Sequence, residues 1–154
     1  MNKIIELEQK VYNWMAKNGF SLLRISIGIV FFWYGLQKFF PGVSSAEELA
    51  AKTIEVMTFG IVTQAFSMPL LAAWEVFLGI AFVTGRLMRI AVPLLFLQMA
   101  GTFMPLFLFP SETFETIIFV PTLVGQYIFK NIVIITGAMV VGAYHMGHVS
   151  IKTK

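Results

Sequence analysis

The chain has 154 residues, 58% of them hydrophobic and only 12% charged, with a mean hydropathy of +0.82. Soluble domains carry about 25% charged residues, so this composition excludes an ordinary water-soluble globular protein. The net charge of +3 comes from bases grouped beside apolar stretches, not from a basic face, which argues against nucleic acid as a partner.

In chain order, residues 2–18 read as an amphipathic helix. Ile4, Leu7, Val11, Trp14 and Met15 share one face, Glu6 and Lys10 form an i,i+4 pair, and Asn18-Gly19 supplies a stop. Such a segment suits the membrane surface, and a solvated helix leading into the first span is the alternative. A first apolar span follows over residues 20–40, closed by Pro41-Gly42. Ser44 or Ser45 with Glu47 or Glu48 three residues on reads as a capping box. It opens a second amphipathic helix with Ala46, Leu49, Ala50, Thr53, Ile54 and Met57 on one side and Glu48, Lys52 and Glu55 on the other. Further spans are predicted at residues 69–85, 90–109 and 123–144, the third interrupted by Pro93 and Pro105. Each is long enough for a hydrocarbon core about 30 Å thick. The fold class is therefore all-α: one membrane domain, a four-helix bundle with two added amphipathic helices.

Orientation follows the bases. Lys3, Lys10, Lys17, Arg24, Arg86, Arg89, Lys152 and Lys154 fall on one side, which the rule assigns to the cytoplasm together with both termini. Glu47, Glu48, Glu55, Glu112 and Glu115 then face outward.

Each span carries a stripe that mixes polar residues with glycine at steps of three and four. These are Arg24, Gly28, Phe31, Gly35 and Lys38; Glu75, Gly79, Phe82 and Arg86; Gln98, Gly101 and Pro105; and Gln126, Lys130, Val133, Gly137, Tyr144 and His148. Glycine lets membrane helices approach closely, so the stripes are expected to face one another. Counting from the predicted span ends puts Glu75 and Lys130 about 9 and 10 Å below the outer boundary, with Lys38 shallower. Tyr34, Gln37, Trp74, Gln126, Tyr127 and Asn131 lie at similar levels and Gln98 deeper. A charge at bilayer depth costs about 2.5–3.5 kcal/mol and is seldom kept without a partner or a role. The expected site is a polar cavity open to the outside, holding Lys38, Glu75 and Lys130 with Tyr34, Gln98, Gln126 and Asn131. Two ammonium groups against one carboxylate would suit a quinone oxygen or a small anion. A plain Glu75–Lys130 ion pair joining two helices is the structural alternative. Arg24 reads as a topology anchor, and Gly35, Gly79 and Arg86 as structural or topological positions.

No metal site is expected. His145 and His148 stand alone at one chain end, and the chain has no cysteine. That lack also rules out disulfides and dithiol redox chemistry by the chain itself. No nucleophilic triad or phosphate loop is present, so autonomous catalysis is not expected.

The segments LLRISIGIVFFWYGLQKFFPG, AAWEVFLGIAFVTGR and GQYIFKNIVIITGAMVVGA resemble the DoxX family of small bacterial membrane proteins. The shared pattern is Arg24 entering the first span, Gly35 and Lys38 near its end, Glu75, Gly79 and Arg86 in the second, and Lys130-Asn131 in the fourth. The resemblance implies a four-helix bundle in the bacterial cytoplasmic membrane, linked in some relatives to quinone-dependent oxidoreductases or oxidative-stress complexes. The function it suggests is a membrane subunit of a redox or stress-response system, with quinone as the cofactor class, a soluble or membrane redox partner, and glycine faces compatible with homo-oligomers. A small solute or ion carrier, and an assembly factor that recruits partners through its outer acidic surface, are the alternatives.

Overall fold

The computed structural model describes residues 3–44, 47–115 and 120–150. Asn2, Ser45, Ala46, Lys152 and Lys154, which enter the readings above, lie outside the described residues. Helices run in the order α1 (Lys3–Gln37), α2 (Glu47–Met57), α3 (Gln64–Thr84), α4 (Met88–Phe103), α5 (Pro105–Leu108), α6 (Pro110–Thr113) and α7 (Leu123–His145). Four stretches, Lys3–Gln37, Gln64–Thr84, Met88–Leu108 and Leu123–His145, are long and apolar enough to cross a membrane. The all-α, four-span expectation holds.

The expected break at Asn18-Gly19 does not occur. α1 is one helix of 35 residues, about 52 Å long. Asn18 folds its side chain back onto the helix, donating to the Trp14 carbonyl at 2.8 Å. A glycine costs only about 1 kcal/mol inside a helix, less than restarting the hydrogen-bond ladder on its far side. The arm carrying Ile4, Leu7, Val11 and Trp14 is therefore a continuation of the first span, exposed along its length.

Proline shapes two other elements. α3 begins at Gln64, five residues before its expected start, and carries Pro69 inside. Pro69 removes only the bond to the Ala65 carbonyl, close to the helix start, so the helix tolerates it. In the third span, Pro93 also sits within α4, but Pro105 ends it. The ring of Pro105 cannot coexist with a regular bond to Gly101, whose carbonyl instead accepts from Met104 N at 3.1 Å.

Packing centres on α1 against α3, which run antiparallel with glycines at the contact. A Cβ on Gly28 would lie 2.7 Å from Val83 N, one on Gly35 2.8 Å from Val76 N, and one on Gly79 2.5 Å from Phe32 N. These are backbone contacts that cannot yield. α7 closes the bundle, with the Leu23 and Ile27 side chains resting on Gly137 and Phe20 stacked on Tyr144 at 4.3 Å. Phe31, Leu78, Phe82, Leu95 and Val141 fill the centre.

α2 rests on α3 and α5 through Leu49, Ala51 and Thr53. Leu49 and Thr53 were predicted on this face; Ala51 joins them, while Met57 turns outward. Of the capping box, the described part differs from expectation: the Glu47 carboxylate accepts from Gly42 N at 2.8 Å. Lys52 pairs with Glu48 at 3.0 Å and Glu112 at 3.5 Å, tying α2 to α6. The Glu48 hydrogen bond, followed by the charges of Glu112 and Glu48, raises the Lys52 pKa, so this bridge holds at neutral pH and is lost only as pH climbs past the lysine range.

Replacing Gly79 by Ala is expected to destabilise the protein by about 1–3 kcal/mol, because the Phe32 backbone must move. Gly101→Ala, where nothing lies within 4 Å, should be neutral or stabilising by about 0.5–1 kcal/mol. Thermal unfolding in one detergent compares the two.

Candidate functional site

The Gly35 contact brings the end of α1 against the middle of α3. Lys38, in the turn just beyond Gln37, places its Nζ 2.6 Å from Glu75 Oε2. Gln98, from α4, donates its Nε2 to Glu75 Oε1 at 2.7 Å. Both carboxylate oxygens are thus occupied, one by Lys38 from the turn after α1 and one by Gln98 from α4. The Lys38 and Glu75 side chains are each only 9% exposed. This is a closed polar cluster, not the expected hollow opening outward.

Its depth also differs from the count made on the sequence. Glu75 stands 11 residues from Gln64 and 9 from Thr84, about 16 and 14 Å from the ends of α3. Gln98 lies equally near the middle of the span Met88–Leu108. The earlier start of α3 accounts for the change: the carboxylate is central in its helix.

Lys130 is elsewhere. It is exposed, its Nζ lies 4.8 Å from the centroid of the Tyr127 ring, and it forms no ion pair among the described residues. The predicted convergence of Glu75 with Lys130 is corrected to a convergence with Lys38 and Gln98. The cause is the phase of α7, which buries Gly125, Ile128, Gly137, Ala138, Val141 and Gly142. Lys130, two residues past Ile128, points about 200° away from it. Gln126 shares the exposed side and reaches back to the Pro121 carbonyl at 3.4 Å. Tyr34 is exposed and Asn131 half-buried, and neither hydrogen-bonds to the cluster.

Two buried polar atoms have no hydrogen-bond partner among the described residues. They are Trp74 Nε1, on the residue next to Glu75 in the chain, and Gln98 Oε1, on the amide that donates to Glu75. One is a donor and the other an acceptor. An unmade hydrogen bond of this kind costs about 1–3 kcal/mol, so the pair calls for a physical reason. On the sequence, Trp74 stood out only by its level; its neighbour Glu75 and its indole N–H are what make it relevant.

At the other end of the α1–α3 contact, Arg24, expected as a topology anchor, hydrogen-bonds to the end of α3. Its guanidinium donates to the Phe82 carbonyl and, at 2.7 Å, to the Val83 carbonyl. It thereby satisfies carbonyls that the end of α3 leaves open and sets a positive charge at the negative pole of that helix. Gly85 follows in the left-handed conformation, φ 71°, directly under the guanidinium. Arg86 is exposed, and His145 and His148 lie at the exposed end of α7.

The geometry defines a multi-pass, all-α membrane protein built around a charge-compensated polar cluster deep among its helices. Residues 19–109 match the DoxX family, more than half of the chain, and the chain belongs to that family. No curated protein and no solved structure matches it significantly.

Lys38→Met leaves a carboxylate unpaired among apolar helices and is expected to cost about 3–5 kcal/mol. Lys38→Met combined with Glu75→Gln should recover most of that loss, since the uncompensated charge is gone. Lys130→Met should change stability by no more than about 1 kcal/mol, the worth of an exposed cation–π contact. Equilibrium unfolding in mixed micelles measures all three.

Proposed function

We propose that this DoxX-family protein is a membrane subunit of a redox system that holds a small, uncharged ligand of the quinone or quinol type beside the Lys38–Glu75–Gln98 cluster. The observation that carries the reading is the pair of unpartnered buried atoms, Trp74 Nε1 and Gln98 Oε1. An indole N–H can donate to a quinone carbonyl, and an amide oxygen can accept from a quinol hydroxyl. The cluster itself is neutral, one ammonium against one carboxylate. With Lys130 outside it, the surplus positive charge that would have favoured a small anion is missing, and an uncharged ligand fits better. A ligand that partitions into lipid would also reach a mid-helix site without crossing water.

In this reading both termini and the Arg24, Arg86 and Arg89 end face the cytoplasm, as the distribution of bases favours. The continuous arm of α1 then extends from the cytoplasmic end, and redox partners would approach there or at the acidic outer surface. Phe31, Leu78, Phe82 and Leu95 fill the bundle on the Arg86 side of Glu75, which weighs against a path for a carried solute.

The test is titration of the purified protein with a short-chain quinone, followed by tryptophan fluorescence and calorimetry. Trp74→Phe keeps the ring and removes the donor; it should weaken binding about 2- to 10-fold, the range for one hydrogen bond. Gln98→Met should act in the same direction. Absence of binding to the wild type, or equal affinity in both variants, would reject the reading.

A further inference from the structure

A second feature lies at the Arg86 end of α3, apart from the polar cluster. Phe77, Ile80, Ala81 and Thr84 on one side of α3 form a groove of about 190 Å³ with Arg86 and Leu87 of the following turn. The groove exists because the turn doubles back: Gly85 and Leu87 both take left-handed conformations, φ 71° and 57°. Leu87 is a residue type that rarely adopts this geometry, so the fold retains a strained turn at this position.

The walls of the groove are apolar and its mouth is cationic. Arg86 is exposed and forms no ion pair among the described residues. Arg24, the nearest basic residue on α1, is already committed to the carbonyls of Phe82 and Val83. The Thr84 hydroxyl donates to the Ile80 carbonyl at 2.8 Å and accepts from Arg86 N at 3.3 Å, which fixes the backbone from which the guanidinium extends. From Phe77 to Thr84, the last residue of α3, is seven residues, about 10 Å along the helix, and Arg86 stands in the turn beyond. Half of a hydrocarbon core about 30 Å thick is about 15 Å. The groove therefore covers about two-thirds of the depth of one leaflet, with Arg86 in the turn at its headgroup end.

We infer that this groove is a binding site for a single anionic phospholipid, with one acyl chain along Phe77, Ile80 and Ala81 and the phosphate held by Arg86. An apolar wall that ends at a basic turn selects a lipid of the adjoining leaflet. The unpaired guanidinium selects a negative headgroup, since arginine meets phosphate through two parallel hydrogen bonds. A zwitterionic lipid offers the same chain and phosphate but carries a cation that Arg86 repels. The site is independent of the quinone reading, because none of its residues belongs to the Lys38–Glu75–Gln98 cluster.

The experiment is native mass spectrometry of the full chain in detergent, loaded with equal amounts of phosphatidylglycerol and phosphatidylcholine of identical acyl chains. The wild type should retain one phosphatidylglycerol at least about fivefold over phosphatidylcholine, a difference of about 1 kcal/mol. Arg86→Gln should bring the ratio close to one, and Arg89→Gln should leave it unchanged. Ile80→Trp, which fills the groove at a half-exposed position, should lower retention of both lipids while the helical circular dichroism and melting temperature persist. Equal retention of the two lipids by the wild type, or a preference that survives Arg86→Gln, would overturn the proposal. So would a preference lost in Arg89→Gln alone.

Discussion

The close approach of α1 and α3 governs the rest of the molecule. Inside a bilayer, apolar side chains gain little by leaving lipid for protein, so helices hold together through tight packing and polar contacts. Gly28 and Gly35 on one helix and Gly79 on the other allow backbone against backbone. That contact determines what α1 can reach at its two limits. At one limit, midway along α1, Arg24 falls on the last carbonyls of α3, and beyond the other Lys38 falls on Glu75. Without the glycines, neither polar group would find its partner at the right height.

How much of this could be read in advance varied by helix, for physical reasons. The inward faces of α1 and α3 were legible because glycine and charge recur together at the helical period, and both signals pointed the same way. On α7 they conflicted. Lys130 and Gln126 suggested one face, whereas Gly125, Ile128 and Val141 form the buried one. Long polar side chains near a helix end can reach water from an outward position, so polarity alone does not fix the phase. The Asn18-Gly19 stop failed for a similar reason, since a local preference worth about 1 kcal/mol yields to a long, cooperative helix. Pro69 misled by its position: it sits far enough along α3 to look like a boundary and early enough to be accommodated.

The corrected cluster changes the chemistry that the protein can offer. A carboxylate saturated by an ammonium and an amide is poorly suited to attack or to abstract a proton. It serves better as a fixed dipole that orders its surroundings. The buried groups left without partners among the described residues are the indole N–H of Trp74 and the amide oxygen of Gln98. They are weak individually, but in a medium of low dielectric each has more effect than in water.

The partnership of Lys38 with Glu75 also bears on biogenesis. Lys38 is synthesised 37 residues before Glu75, so the first span must emerge with its ammonium still uncompensated. Until α3 arrives, that residue has to stay near the headgroups or in the insertion machinery. Entry of the first two spans into lipid is thereby coupled, and they behave as one inserting unit rather than two successive ones.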